Sequence, residues 1–211
     1  MKSLTLISAA ILIISCNKEN DKKNSDASKI ISSKVRSHSV NLKKDLGTVA
    51  GIKLEYNLVN DRLAKKKLDS ASFKYECEER SGNIVYYSEN GKLKVIKHFQ
   101  ADSHFSSVDH YFVDDNKPYF ILKDETVWSF DGGTPEKPVT KDDVTEKRFY
   151  LVDDKPIQCL EKKYTLKSSS ANNPKSENVP NKEMKNCSVA DLQKDFKLLT
   201  NKKNKNDGSC L

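Results

Sequence analysis

The 211-residue sequence predicts a mainly β protein, an antiparallel β-meander sheet with a C-terminal amphipathic helix, and three observations carry that expectation. Fourteen of the 17 aromatic residues fall between positions 71 and 160, so the core is drawn from the middle of the chain. Three stretches there share one grammar of aromatic pair, acidic or Asn turn, Lys and second apolar run: Val85–Leu93, Tyr111–Tyr119 and Phe149–Ile157. Beyond them Val189, Leu192, Phe196 and Leu199 recur at +3, +4 and +3, the spacing of one helix face.

Residues 1–15 read as a targeting segment. Met1-Lys2 is a short cationic start, and Leu4 to Ile14 is an 11-residue apolar run interrupted only by Thr5 and Ser8. That run is too short for a permanent transmembrane helix and has the length of a signal-peptide hydrophobic region. The small residue Ser15 stands immediately before Cys16, and the polar string Asn17-Lys18-Glu19-Asn20-Asp21-Lys22-Lys23 follows at once.

Ile13-Ile14-Ser15-Cys16 resembles the lipobox of bacterial lipoproteins, with Ile14 where Ala or Ser is commoner. The resemblance implies cleavage before Cys16, a diacylglycerol on its sulfur and a further acyl chain, such as palmitate, on its amino group. Each buried CH₂ contributes about 0.8 kcal/mol, so two or three chains anchor a protein to a membrane without any spanning helix. Asn17, in place of the Asp that favours inner-membrane retention in that family, implies the outer membrane, and Lys18-Glu19 resembles signals that export some lipoproteins to the cell surface. Residues 16–48, rich in Lys, Asn, Ser and Asp, read as a disordered tether.

Residues 49–167 read as the sheet domain. Ile52-Lys53-Leu54-Glu55-Tyr56-Asn57-Leu58 alternates apolar and polar residues and is expected to add a strand. Phe73–Glu79, Leu93–Phe99, Tyr119–Leu122, Val127–Phe130 and Ile157–Leu166 complete an expected seven to nine strands. Asn90-Gly91 is a strong hairpin signal because both residues tolerate positive φ. The Asp-Asp turns can bond their own backbone, and Pro118 and Pro156 stand where a returning strand tolerates a missing amide. Asp131–Pro138, with two Gly and two Pro, reads as a loop. Residues 168–211 supply a linker, the helix and a basic tail.

Charge is divided in the same way. Lys and Arg outnumber Asp and Glu by 13 to 7 over residues 17–70 and by 11 to 6 over 161–211, whereas over 71–160 the acids lead by 17 to 12. An acidic aromatic core argues against nucleic acid as a partner, because that binding interleaves cations with stacking aromatics.

Apart from Cys16 there are four cysteines, Cys77, Cys159, Cys187 and Cys210, the even number expected of two disulfides in an oxidising envelope compartment. Cys77 with Cys159 and Cys187 with Cys210 is the favoured pairing; the alternative is that a core cysteine staples the tail to the sheet. No Cys-x-x-Cys is present, so neither a redox dithiol nor a zinc knuckle is expected.

Candidate chemistry is sparse. His98, His104 and His110 recur every six residues, a spacing that suits exposed strand ends better than metal ligation, and no cofactor is expected. Glu76 and Glu78 are expected on the solvent face of a strand rather than as a glycosidase pair with Glu79. In each aromatic pair the strand sends one member to each face, so Tyr86, Tyr87, Tyr111, Tyr119 and Tyr150 are the candidate binding residues if one face is open. The expectation is therefore a non-catalytic binding or structural envelope module, held at the membrane by its lipid anchor and facing an envelope protein or glycan. The alternatives are an envelope glycan hydrolase and an inhibitor or immunity protein. For the last, Phe73-Lys74-Tyr75-Glu76-Cys77 resembles the Tyr-x-Cys opening strand of periplasmic lysozyme inhibitors and Ser81-Gly82 resembles their Ser-Gly loop, while their downstream basic residue and Tyr are missing.

Overall fold

The computed structural model describes residues 44–205, with side chains through 203; Cys16 with its lipobox, the tether up to residue 43, and Cys210 lie outside the described residues. Helix α1 (Val49–Ala64) precedes β1 (Asp69–Cys77), β2 (Arg80–Glu89), β3 (Lys92–Asp102), β4 (Phe105–Asp114), β5 (Lys117–Thr134), β6 (Lys137–Val152) and β7 (Lys155–Lys167). A 3-10 turn at Ser176–Asn178, the two-residue β8 (Lys182–Glu183) and helix α2 (Ala190–Lys205) follow. The eight strands form one open antiparallel sheet in the order of the chain, the meander that the hairpin grammar predicts.

Two-residue turns join β1 through β7, and their chemistry explains the register. Asn90 and Gly91 have φ of 52° and 75°, Asp115 and Asn116 45° and 62°, and Asp153 and Asp154 48° and 63°. Positive φ at both central residues gives the twist that matches flanking strands, and Asn, Asp and Gly adopt it at least cost. These three turns lie at one end of the sheet, termed here the near end. The turns after β1, β3 and β5 lie at the far end.

Register then sorts the aromatic pairs. Tyr86, Ile96, Tyr111, Ile121, Phe149 and Cys159 stand in one cross-strand row. Their chain neighbours form the row on the opposite face: Tyr87, Val95, Phe112, Phe120, Tyr150 and Gln158. Both faces are covered. Leu192, Phe196 and Leu199 of α2 pack on the first row, with the Phe196 ring 5.6 Å from that of Tyr111 and the Tyr86 hydroxyl donating to the Leu199 carbonyl at 2.8 Å. Ile52, Tyr56 and Val59 of α1 pack on the second, with Tyr56 4.9 Å from the rings of both Phe112 and Phe120.

The segment expected as a strand at Ile52–Leu58 is thus the middle of α1. Val49, Ile52, Tyr56, Val59 and Leu63 form the stripe that meets the sheet, while Leu54 and Leu58, which complete the seven-residue alternation, are exposed. The Thr48 hydroxyl accepts from the Gly51 amide at 3.1 Å and caps the helix, and Arg62 ties its last turn to Glu89 of β2.

The disulfides also differ from the favoured pairing. Cys159 is bonded to Cys187, with 5.8 Å between Cα atoms. Cys77 is disulfide-bonded as well. Cys77 and Cys159 sit on β1 and β7, six strand spacings apart in an open sheet, roughly 25–30 Å, whereas a disulfide needs Cα atoms within about 7 Å. Cys187 is committed to Cys159 and so does not pair with Cys210. The chain after β7 explains why: Ser176 lies over the α1 face, where Lys162 donates to its carbonyl at 2.9 Å. β8 then pairs with the β7 edge, the Met184 amide donates to the Cys159 carbonyl at 2.9 Å, and Cys187 arrives on the α2 face beside Cys159. A core cysteine staples the C-terminal segment to the sheet, the alternative that the sequence left open.

Candidate functional site

The tyrosines expected to make a binding face do not make one. Tyr86, Tyr111, Tyr119 and Tyr150 are buried and Tyr87 is half-buried. Covering both faces gives each member of an aromatic pair a packing partner, and burial pushes Tyr86 up to about 12 and Tyr111 and Tyr119 well above the usual phenol range.

Beyond the helices the strands turn polar. On the α2 face His98, Asp109, Lys123 and Lys147 succeed one another across β3 to β6. The Tyr75 hydroxyl meets His98 Nε2 at 2.8 Å, Lys123 lies 3.5 Å from Asp109 and 3.6 Å from Glu125, and Lys147 donates to Glu125 at 2.7 Å. Burial raises Asp109 to about 6 against the pull of Lys123, and burial, helped by Lys123, lowers His98 to about 4. On the α1 face Arg148 donates twice to Glu146, which also pairs with Lys162 at 3.1 Å and accepts from the Ser176 hydroxyl. Asp124, on this face, is raised to about 6 by burial and by Glu146, and burial lowers His110 to about 4.

The two carboxyls with raised pKa therefore face opposite sides of the sheet and cannot flank one bond. The histidines are dispersed likewise: His98 is buried on the α2 face, His110 is half-buried on the α1 face and His104 occupies the β3–β4 turn. The expectation of exposed strand-end histidines holds for His104 alone, because the strands run on past the other two. Among the described residues no three His, Cys, Asp or Glu side chains are grouped to hold a metal ion. Glu76 is exposed on β1, while Glu78 sits in the β1–β2 turn at φ 54° rather than on the strand. Ser81-Gly82 is not a loop. It lies within β2, where the Tyr75 ring covers Gly82 so closely that a Cβ there would meet the ring at 2.1 Å.

The open surface is at the far end. Pairing of β5 with β4 stops at Val127, opposite Phe105, and pairing of β6 with β7 stops at Lys141, opposite Lys167. The two longest strands therefore run on as a two-stranded finger. Much of the expected Asp131–Pro138 loop is strand: Gly132 and Gly133 take φ of 123° and 87° beside a bulge, and the turn is confined to Pro135 and Glu136. At the base of the finger the His104 ring stacks on Trp128 at 3.9 Å and 8°, the Trp128 indole N–H donates to the Ser103 carbonyl at 3.2 Å, and the Trp128 amide donates to the His104 carbonyl at 2.9 Å. Phe130 stands edge-on to Trp128 at 5.6 Å and is 63% exposed, and Val127 is 48% exposed. In the sequence Val127–Phe130 reads as an ordinary strand.

The chain enters the domain at the opposite end, where Lys44 pairs with Asp114 beside the β4–β5 turn. Compared with known protein families, characterised proteins and solved structures, the chain matches none.

Proposed function

We propose that the protein is a non-catalytic binding or structural module of the cell envelope, held at the outer membrane by a lipid on Cys16, whose contact surface is the β5–β6 finger rather than a sheet face. One observation carries the reading: Phe130 is exposed on the α1 side of the finger beside Trp128, whose ring stacks on His104 and donates to the Ser103 carbonyl, and Val127 is exposed on the other side, at the end of the sheet remote from Lys44. Large apolar side chains left uncovered and pre-organised mark recognition surfaces. An anchor upstream of residue 44 tethers the domain by its near end and leaves the finger free for an envelope partner.

The cysteines provide the test. Cys159 is taken by Cys187 and Cys77 is bonded, so lipidation of Cys16 leaves Cys210 as the partner within the chain for Cys77. Mass spectrometry of the protein purified from its own membranes, without reduction, is expected to give a diacylglyceryl-Cys16 terminus and a Cys77–Cys210 linked peptide. An intact 1–15 leader or a Cys16–Cys77 peptide overturns the proposal.

A further inference from the structure

We infer that the α1-side face of the finger is a binding site for a neutral sugar ring. The inference deepens the binding reading above and rests on it. Trp128, Asp142 and Leu166 stand opposite one another across β5, β6 and β7, and Phe130 stands opposite Thr140, so all five side chains project from one face of the sheet. Beside them lies a cavity of about 180 Å³ lined by Thr140, Asp142, Leu166, Lys167, Ser168 and Asn173.

The walls are fixed by hydrogen bonds that do not consume the floor. The Thr140 amide donates to the Ser168 hydroxyl and the Ser168 amide to the Thr140 carbonyl, both at 2.9 Å. The Asn173 side chain accepts from the Lys167 amide at 2.7 Å and donates to the Lys167 carbonyl at 3.0 Å. The neighbouring carboxylates are occupied: Asp131 by Lys167 at 2.9 Å, Asp143 by Thr165 at 2.6 Å and by Lys141 at 3.8 Å. Asp142 alone of these three has no hydrogen bond or ion pair among the described residues.

An uncommitted carboxylate beside an exposed aromatic ring selects its ligand. The carboxylate accepts two hydroxyl hydrogens at once and repels phosphate, sulfate and uronate groups, while the electron-rich face of Phe130 attracts the C–H side of a sugar ring. Such sites combine an apolar wall with a few placed polar groups.

Trp128 is the sole tryptophan of the chain, so its fluorescence reports on this site alone. The full mature chain is to be titrated with neutral glucose, galactose and N-acetylglucosamine oligosaccharides, and with dextran sulfate as the anionic counterpart. The expected result is a saturable fluorescence change with at least one neutral series, weakened tenfold or more in Asp142→Ala and in Phe130→Ala, both with wild-type circular dichroism, and no saturable change with dextran sulfate. Silence with every neutral series, saturation with dextran sulfate, or undiminished affinity in Asp142→Ala overturns the sugar assignment. Capture of an envelope protein that is lost in Phe130→Ala, with no sugar response, overturns the sugar assignment while leaving the binding module standing.

Discussion

The near and far halves of the sheet are built from the same strands to opposite ends. In the near half β2 to β6 each offer an aromatic or aliphatic side chain to both faces and a helix covers each face; farther along, β3 to β6 carry a lattice of charges and then, on the finger, Val127, Trp128 and Phe130 have no helix on them among the described residues. The difference shows that an aromatic pair on a strand is an instruction about layers. Two adjacent apolar residues need two covers, and the chain supplies α1 and α2. Val127, Trp128 and Phe130 follow the same pattern without a cover, which is why the finger and not the tyrosine rows is open to a partner.

The comparison breaks most readily in the near half. Phe112→Ala or Phe120→Ala, each at a side chain no more than 2% exposed, is expected to cost about 3–5 kcal/mol in urea unfolding, whereas Phe130→Ala is expected to cost less than about 0.5 kcal/mol. Equal costs would remove the distinction between the halves. Removing the Cys159–Cys187 bridge as a double Ala variant opens a 28-residue link and is expected to cost about 2–4 kcal/mol, with faster proteolysis after residue 168.

A smaller effect comes from the polar half, where titrating groups oppose one another. Asp109 and Asp124, raised to about 6 from an ordinary 3.8, bind protons in the folded state that the unfolded chain has already lost, so their contribution falls as pH rises through 4 to 6. His98 and His110, lowered to about 4 from 6.5, do the reverse: the unfolded chain takes up protons below 6.5 and stability falls on acidification. The wild-type melting temperature is therefore expected to vary little between pH 4.5 and 6.5. An Asp109→Asn, Asp124→Asn variant is expected to lose stability on acidification across that window, by on the order of 1–2 kcal/mol per titrating His. A variant as flat as the wild type would contradict the opposition.

Much of this architecture was legible in the chain. The Asn90-Gly91, Asp115-Asn116 and Asp153-Asp154 turns set the hairpins, and Leu192, Phe196 and Leu199 set the buried face of α2. Ile52–Leu58 misled because a seven-residue window fits period 2 as well as 3.6; extended to Val49 and Leu63, the helical stripe prevails. The disulfides misled because strand character says nothing of distance across a sheet, although a meander in chain order already separates β1 from β7. The candidate site was hidden for a different reason. Exposure of Phe130 depends on where β4 and β7 stop, and a cavity between Thr140 and Asn173 depends on a loop folding back, neither of which is a local property of sequence.

Recognition on the finger has a rival apolar surface in the exposed Leu54 and Leu58 on the outer side of α1. A photo-crosslinking aromatic at position 130, and separately at position 58, in intact cells compares them directly. A discrete high-mass adduct is expected from position 130 and none from position 58; adducts from 58 with none from 130 would contradict recognition on the finger.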